Sequence, residues 1–429
     1  MESSLQPIPF SELVEINPST PNMYLESDAL VSFIPMQDVS EAGQWITHQV
    51  RRLQEINSGY TSFREGDVLF AKITPCMENG KGCHARGLMN GIGFGTTEFH
   101  VLRAKSIGES RFIFHWTQSE TLRLKAAAMM TGSAGQRRVP TEFFDRYRIP
   151  YIPKPEQQKI AEVLDTVDKL LALTDRHIAK LKQAKAGLLH DLLTHGIDEH
   201  GELRDPVAFP EQFKETRTAI GRIPKDWDVM QLSSVCERVT DGAHQSVTTS
   251  ESGVPFLYVS CVRDGRILWN QTARVSESLY QQLSRGREVK PGLILYTVVG
   301  SYGHAALVRD DQKFSFQRHI AYILPDPKKI IPGYLCMWLN SSQCRIHADR
   351  VALGNAQKTV TLGALNLFPV LLPDTLEEQT RILEYLDTYD RRITNKELRF
   401  EKLNLLKKGL MADLLTGRIR VKLDITKEG

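Results

Sequence analysis

The chain has 429 residues, which is more than one ordinary domain needs, so we expect two or three domains. Hydrophobic residues make up 41% and charged residues 24%, and the formal net charge is +3, a composition typical of soluble globular proteins. No apolar run reaches membrane-spanning length, and the first residues do not resemble a signal peptide, so we expect neither a membrane protein nor a secreted one. The six cysteines form no CxxC pair, which favours the cytoplasm.

The first 150 residues predict short strands and amphipathic helices. Strands are indicated at 66–73 and 98–103, and a helical region at 110–130. Between Arg103 and Lys154 there are ten Lys or Arg residues and four Asp or Glu residues. Phosphate contacts need such clustered positive charge, so this segment has the composition of a nucleic-acid binder.

Two loops of this segment combine glycine with polar side chains, namely 80–95 and 132–138. Small residues let the backbone approach a ligand closely, whereas Gln, Arg and Lys offer bidentate or phosphate hydrogen bonds. The alternative is that these are solvated loops with ordinary charges. The predicted DNA-binding residues are Lys72, Lys81, Arg86, Gln136, Arg137 and Arg138.

A long helix is predicted over 156–194, because apolar side chains recur there with a seven-residue period typical of coiled coils. At 1.5 Å per residue it would span roughly 57 Å. A link rich in Gly, Pro and charged residues follows it. The predicted seam residues are Ile160, Leu164, Val167, Leu171, Ile178, Leu181 and Leu188.

A second module begins at Ile223 and resembles the first faintly. Strands are indicated at 255–262 and 293–299 and a helical region at 332–351, and the loop 354–358 takes the place of 132–138. Its predicted DNA-binding residues are Tyr302, His304, Gln317, Arg318, Asn355, Gln357 and Lys358.

A second long helix shows that the chain is a tandem repeat. Residues 378–416 align without a gap on 156–194, with 17 of 39 positions identical after a shift of 222. Thr375 and Glu378 predict a capping box at its start. The seam residues of this helix are Ile382, Leu386, Tyr389, Ile393, Phe400, Leu403 and Leu410.

Two seam lysines indicate the direction of helix pairing. Lys185 and Lys407 occupy equivalent positions, and parallel helices would bring these like charges together. Antiparallel helices would separate them and place Lys185 near Tyr389. The alternative is that each helix packs only on its own domain.

The predicted fold class is therefore α+β: two mixed α/β domains joined by two long antiparallel helices forming a coiled coil, in a pseudo-two-fold tandem repeat. The predicted boundaries are 1–152 for the first domain, 153–196 for the central helix, 197–222 for the link, 223–373 for the second domain and 374–420 for the C-terminal helix.

Motifs for chemistry are missing from the sequence. There is no GxxxxGK[ST] loop, and residues 17–20 (Asn-Pro-Ser-Thr) depart from the Asn-Pro-Pro-aromatic motif of adenine methyltransferases. Cys76, Cys83 and His84 lack a fourth zinc ligand at suitable spacing. We predict no catalytic residues, no metal site and no cofactor.

Two variable domains of about 150 residues, each followed by a helix that begins near Glu-Gln and ends in Asp-Leu-Leu-Thr, resemble the specificity subunit of type I restriction–modification enzymes. The entry to the second half, 223–227 (Ile-Pro-Lys-Asp-Trp), is also similar to that family's pattern. The resemblance covers nearly the whole chain, and the duplicated helix is its most specific part.

The resemblance implies a non-catalytic subunit in which each domain reads one half of a split, asymmetric sequence in double-stranded DNA. The helices would be a spacer that docks two adenine-N6 methyltransferase subunits, while motor-nuclease subunits would translocate and cut DNA. Two alternatives remain open: the recognition part of a split methyltransferase-nuclease, which would bind S-adenosylmethionine, and a stand-alone bipartite DNA-binding regulator, which would bind its target without partners.

Overall fold

A computed structural model of the chain describes residues 5–19, 25–56, 59–133, 135–216, 221–263, 265–355 and 357–422. Its contacts divide the chain into two units. The first takes the described residues of 1–176 and 397–429, and the second takes those of 177–396. Within the described ranges, no helix combines the length and the apolar character that crossing a membrane requires.

The described strands and helices of the first half follow in chain order. They are β1 (Pro7–Pro9), β2 (Val14–Ile16), β3 (Leu30–Ile34), β4 (Gln49–Arg52), β5 (Thr61–Arg64), β6 (Val68–Ala71), β7 (Gly82–His84), β8 (Ile92–Gly95), β9 (Phe99–Ala104), α1 (Ser110–Gln118), α2 (Glu120–Ala128), α3 (Phe143–Arg146), β10 (Arg148–Pro150) and α4 (Lys154–Thr194).

The second half continues with β11 (Phe213–Glu215), β12 (Arg222–Pro224), β13 (Asp228–Gln231), β14 (Cys236–Asp241), β15 (Val254–Leu257), β16 (Val262–Arg263), β17 (Arg266–Ile267), β18 (Ala273–Val275), α5 (Glu277–Leu283), β19 (Ile294–Thr297), β20 (Ala305–Leu307), β21 (Ser315–Phe316), β22 (Ile320–Pro325), α6 (Pro332–Leu339), α7 (Ser342–Val351), α8 (Leu362–Asn366), β23 (Pro369–Leu372) and α9 (Leu376–Leu414).

Two sheets and the helices packed against them form the core of the first unit. One antiparallel sheet has the order β2-β9-β6-β7, and the other has the order β4-β3-β8-β5 with β3 and β8 parallel. Strand β6 is apolar throughout because both of its faces are covered. Val68 and Phe70 pack towards helix α1, whereas Leu69 and Ala71 pack towards the second sheet, as the two-residue period of a strand requires.

The second unit repeats this plan. Its sheets have the orders β14-β22-β19-β20 and β18-β15-β21, and β15 and β21 are again parallel. Ile294 and Tyr296 pack towards α6, whereas Leu293 and Leu295 pack in the other cluster. The shared order of the four-stranded sheets, and of three strands in the other sheet, confirms the predicted α+β tandem repeat.

Helices α4 and α9 pack together in antiparallel orientation, and each unit contains one equivalent ion pair between them. In the first unit Lys407 Nζ lies 2.6 Å from Asp168 Oδ1. In the second unit Lys185 Nζ lies 2.5 Å from Asp390 Oδ1. The two pairs are related by the 222-residue shift. Lys185 therefore lies beside Asp390, the neighbour of the predicted Tyr389, and antiparallel pairing is confirmed.

All fourteen predicted seam residues are buried or half-buried. The seam also continues into the domain cores, since Ile160 and Leu164 belong to the first core and Ile382 and Leu386 to the second. The two explanations weighed from the sequence are therefore both partly correct: each helix begins in the core of its own domain, and that core also contains the C-terminal end of the other helix.

The capping box predicted at the start of α9 is only half formed. Thr375 Oγ1 accepts a hydrogen bond from the Glu378 backbone N–H at 3.2 Å. The buried Glu378 carboxylate instead accepts bonds from Ile197 N at 3.0 Å and Arg204 Nη1 at 2.6 Å, so it anchors the link that follows α4. In the first unit the equivalent Glu156 is bound by Arg420.

Candidate nucleic-acid interface

In the first unit, the loop between β6 and β7 and the glycine-containing loop 132–137 lie side by side. Single β-bridges join Arg138 to both Thr131 and Ile73, closing the second loop and fastening it to the first. Gly132 has a φ of +119°, and a Cβ there would lie 2.9 Å from the Gln136 carbonyl oxygen, so this turn requires glycine. Ala134, which we expected in this loop, lies outside the described residues.

Five of the six predicted DNA-binding residues of the first unit come together at this end of the sheet. The backbone of Lys72 accepts a hydrogen bond from Val139 N at 2.9 Å, and Thr74 N donates to the Arg137 carbonyl at 3.0 Å. Lys81 closes the same hairpin loop through its backbone bonds. Arg86 does not join the group, because it lies beyond the opposite end of β7, where its charge helps to lower the pKa of His84.

The side chains in this group differ in how strongly other residues of the unit already bind them. Arg138 forms a bidentate ion pair with Glu98, at 2.9 Å from Nε and 2.7 Å from Nη2, which lowers the pKa of Glu98. Lys81 Nζ donates to the Met36 carbonyl at 3.1 Å. Arg137 is more loosely held, 3.7 Å from Glu78, and Gln136 is exposed. Gln136 and Arg137 are therefore the side chains best placed to meet a ligand.

Three arginines of the basic segment 103–154 are engaged inside the unit. Arg103 is buried in a bidentate pair with Asp67, at 2.9 and 2.8 Å. Arg111 bonds Glu109 and Asp165 at 3.0 and 3.2 Å, and Arg123 is buried against backbone carbonyls. Part of the positive charge counted from the sequence is therefore engaged inside the unit, and the nucleic-acid-binding role of the segment stays a prediction.

The second unit assembles an equivalent group of loops. Thr359 forms β-bridges with Leu353 and Val299, the same pattern that Arg138 makes in the first unit. Gly300 N donates to the Lys358 carbonyl at 2.9 Å. Asn355, Gln357 and Lys358 are exposed on the outer loop, and Ala356 lies outside the described residues. The predicted correspondence of the two Gln-bearing loops is therefore visible in their backbone pairing.

A third loop, 317–319, adds to this group. Val298 N donates to the His319 carbonyl, and Arg318 N donates to the Ala243 carbonyl, both at 2.9 Å. Arg318 is exposed and Gln317 is half-buried. His244, which sequence reasoning missed, lies beside this loop with Nε2 2.6 Å from Asp241 Oδ2.

Tyr302 and His304 lie on the β19–β20 loop. We predicted both to be DNA-binding residues, but neither side chain is fully exposed. Tyr302 is only 8% exposed, and its hydroxyl donates to Asp349 Oδ1 at 2.6 Å, which raises the pKa of Tyr302. Its side chain supports the loop from within the core, so it is not placed to reach a base. His304 is half-buried, and its backbone N–H donates to Thr297 Oγ1 at 2.9 Å.

The residues weighed for other chemistry are interior or structural. Burial raises the pKa of Cys83 to about 12, and burial together with Arg86 lowers the pKa of His84 to about 4. Asn17 has a φ of +49°, and its side chain bonds His100 Nδ1 at 3.1 Å and Val101 N at 3.0 Å. Thr20 of that motif lies outside the described residues. Where the structure is described, no three His, Cys, Asp or Glu side chains form a potential metal cluster.

Comparison with known proteins gives a consistent result. A family model described as the type I restriction modification DNA specificity domain matches residues 22–183 and again 224–404. The chain is 39% identical over 171 residues to the type I restriction enzyme EcoEI specificity subunit of Escherichia coli, covering 39% of this chain and 28% of that protein's length. It is 28% identical over 312 residues to the MjaVIII specificity subunit of Methanocaldococcus jannaschii, covering 70% and 69%.

A solved structure concerned with complex assembly and conformational transition of the type I R-M system contains a chain of similar fold. The TM-score is 0.59 at 18% sequence identity, with 98% of this chain and 99% of that chain covered. At this identity the likeness concerns the fold alone.

Proposed function

Because this chain belongs to the type I restriction modification DNA specificity domain family, we propose that it is a specificity subunit whose two α+β domains each read one half of a bipartite double-stranded DNA target. The observation that carries the proposal is the duplicated loop group at one end of each main sheet. In both units a Gln-bearing loop is bridged to the hairpin loop that follows an inner strand, β6 in the first unit and β19 in the second. Loops on a rigid sheet are the usual carriers of recognition residues.

The two loop groups share a backbone plan but present different side chains. The first offers Gln136 and Arg137, and the second offers Asn355, Gln357 and Arg318. Gln and Asn pair bidentately with adenine and Arg with guanine, so different side chains select different bases. We therefore propose an asymmetric target with unlike halves, in which the remaining lysines position the phosphate backbone.

The chemistry in this proposal is done by partners: two adenine-N6 methyltransferase subunits and motor-nuclease subunits. The helix pair carries surface suited to docking them. In the first unit Leu398, Leu405 and Leu406 of α9 are 50%, 70% and 50% exposed. A group of exposed apolar side chains on one helix is typical of an interaction surface.

The test is to co-express the chain with its methyltransferase subunits and map methylated adenines across the host DNA. We expect one split sequence motif whose methylation disappears when this chain is omitted. Q136A is expected to relax base preference in one half of that motif, and Q357A in the other, so each variant is the control for its counterpart. Absence of any split motif that depends on the chain would overturn the proposal.

A further inference from the structure

Each domain holds a helix arginine against the loop that joins an inner strand of its four-stranded sheet to the edge strand. Arg123 lies on α2 and reaches the β6–β7 loop, and Arg345 lies on α7 and reaches the β19–β20 loop. The two arginines are separated by 222 residues, the offset of the tandem repeat. Their helices begin alike, since Ser119 and Ser341 are the N-caps and are separated by the same offset.

Arg123 is buried and bonds three backbone carbonyls of one loop. Its guanidinium donates to Met77 O, to Gly80 O at 2.9 Å and to Lys81 O at 3.3 Å, and it lies 5.1 Å from the centre of the Phe70 ring. The Met77 and Lys81 carbonyls also accept backbone N–H groups from Gly80 and Ala71, so the planar fork adds further bonds to turns that the backbone already forms.

The environment of Arg123 is costly for a purely structural residue. Across the described ranges, no carboxylate lies within ion-pair distance of its guanidinium. Burial accordingly lowers the pKa of Arg123 to about 10. A buried cation without an acidic partner opposes folding, and an apolar side chain of similar size would pack there without this cost. We therefore relate Arg123 to the conformation of the loop and not to the stability of the core.

Arg345 repeats the contact in the second unit. Its Nη1 donates to the Tyr302 carbonyl, and its guanidinium carbon lies 6.0 Å from the centre of the Tyr302 ring. Gly303 has a φ of +84°, and a Cβ there would lie 2.5 Å from Arg345 Nη1. The glycine is thus required both by the backbone conformation and by the approach of the guanidinium.

The β6–β7 and β19–β20 loops, which these arginines bind, contain or contact the candidate DNA-binding side chains. In the first unit the loop includes Lys81 and also Glu78, which lies 3.7 Å from Arg137 and accepts a bond from Thr74 at 2.9 Å. In the second unit the loop includes Gly300, where a Cβ would meet the Gln357 amide nitrogen at 3.4 Å. A change in loop conformation would therefore move the side chains that face DNA.

We propose that Arg123 and Arg345 are positioning residues for DNA recognition, one in each domain, which fix the hairpin loop that supports the recognition side chains of one half-site. The inference rests on the proposed function and adds the prediction that the two arginines act on separate halves of the target. Because the guanidinium is engaged by backbone carbonyls of the loop, we expect its effect on base discrimination and not on the number of phosphate contacts.

The experiment uses the full chain in complex with its methyltransferase subunits, carrying R123M, R123K, R345M or R345K. K125M and R350M are matched controls, because each removes an exposed positive charge from the same helix. Binding is measured on the target duplex and on duplexes with one base changed in either half, over a range of salt concentrations. We expect both Arg123 variants to lower discrimination about tenfold in one half-site only, and both Arg345 variants to do so in the other.

Lysine retains the charge but not the fork, so R123K is expected to behave like R123M, with the slope of log affinity against log salt unchanged. Wild-type discrimination in both lysine variants would overturn the proposal, as would a slope reduced by about one with discrimination intact, which indicates a direct phosphate contact. Equal loss in both half-sites, or loss of cooperative unfolding in R123K and R345K, would assign the arginines to folding instead. Failure of the proposed function is distinguishable, because the wild-type complex would then show no split target.

Discussion

His84 is an interior histidine whose pKa lies well outside its ordinary range. Its Nε2 is 3.2 Å from the Gly66 carbonyl and 3.0 Å from Ser110 Oγ, and burial with the nearby Arg86 lowers the pKa to about 4. Between pH 6.5 and 4 the unfolded chain therefore binds a proton that the folded chain excludes. Folding of the first unit thus loses stability as the pH falls through this window.

We predict that H84Q makes the stability of the first unit less sensitive to acid. Glutamine cannot titrate, so the variant is spared a loss on the order of 2 kcal/mol between pH 7 and pH 4. Urea unfolding of wild type and variant at each pH measures this difference. H48Q, which replaces an exposed histidine of the same unit, is the control and should follow the wild-type profile. Parallel profiles for H84Q and wild type would contradict the prediction.

At the scale of elements, the direction of the helix pair depends on charges placed on its seam. Lys407 and Asp168 are 17% and 31% exposed, whereas Lys185 and Asp390 are 29% and 49% exposed. Ion pairs contribute more when they are less solvated, so the pair in the first unit is expected to matter more. In this half-buried pair, Asp168 Oδ2 also lies 3.9 Å from the Nδ1 atom of His115.

We predict that K407D destabilises the first unit by about 1 kcal/mol or more, because it places two carboxylates together in a half-buried seam. Adding D168K reverses the pair and should restore most of the loss, which a double-mutant cycle in urea unfolding measures. The same exchange at Lys185 and Asp390 should show the same pattern with a smaller amplitude. If D168K worsened the K407D variant, the ion pair would have no role in helix pairing.

At the scale of the whole molecule, recognition is expected to be modular because each unit has its own core and its own loop group. We predict that replacing residues 1–152 with the corresponding segment of another family member changes one half of the methylated motif and leaves the other half intact. Methylated-adenine mapping in cells that express each chimera with the methyltransferase gives the readout. Replacing residues 223–373 is the reciprocal control. Simultaneous change of both halves would show that the domains do not read independently.

Much of the fold was predictable because its signals are local or periodic. The heptads of α4 and α9 and the 222-residue shift required only counting, and the seam lysines were enough to choose antiparallel pairing. The Gln-bearing loops were also predictable, because small and polar residues recur at matching places before each helix. Even the repeat of Arg123 and Arg345 was present as a 222-residue offset, but nothing local distinguished these arginines from solvated ones.

What the sequence by itself determined is the repeat, the helix pair and the places where recognition loops can stand. Only the tertiary structure decided which charges are available there. Arg138 is paired with Glu98 and Tyr302 with Asp349, across 40 and 47 residues of chain. Arg123 is buried against carbonyls, and Arg86 lies beyond the far end of β7. Periodicity is a property of neighbours along the chain, whereas the partner of a charge is chosen by distant segments that packing brings together.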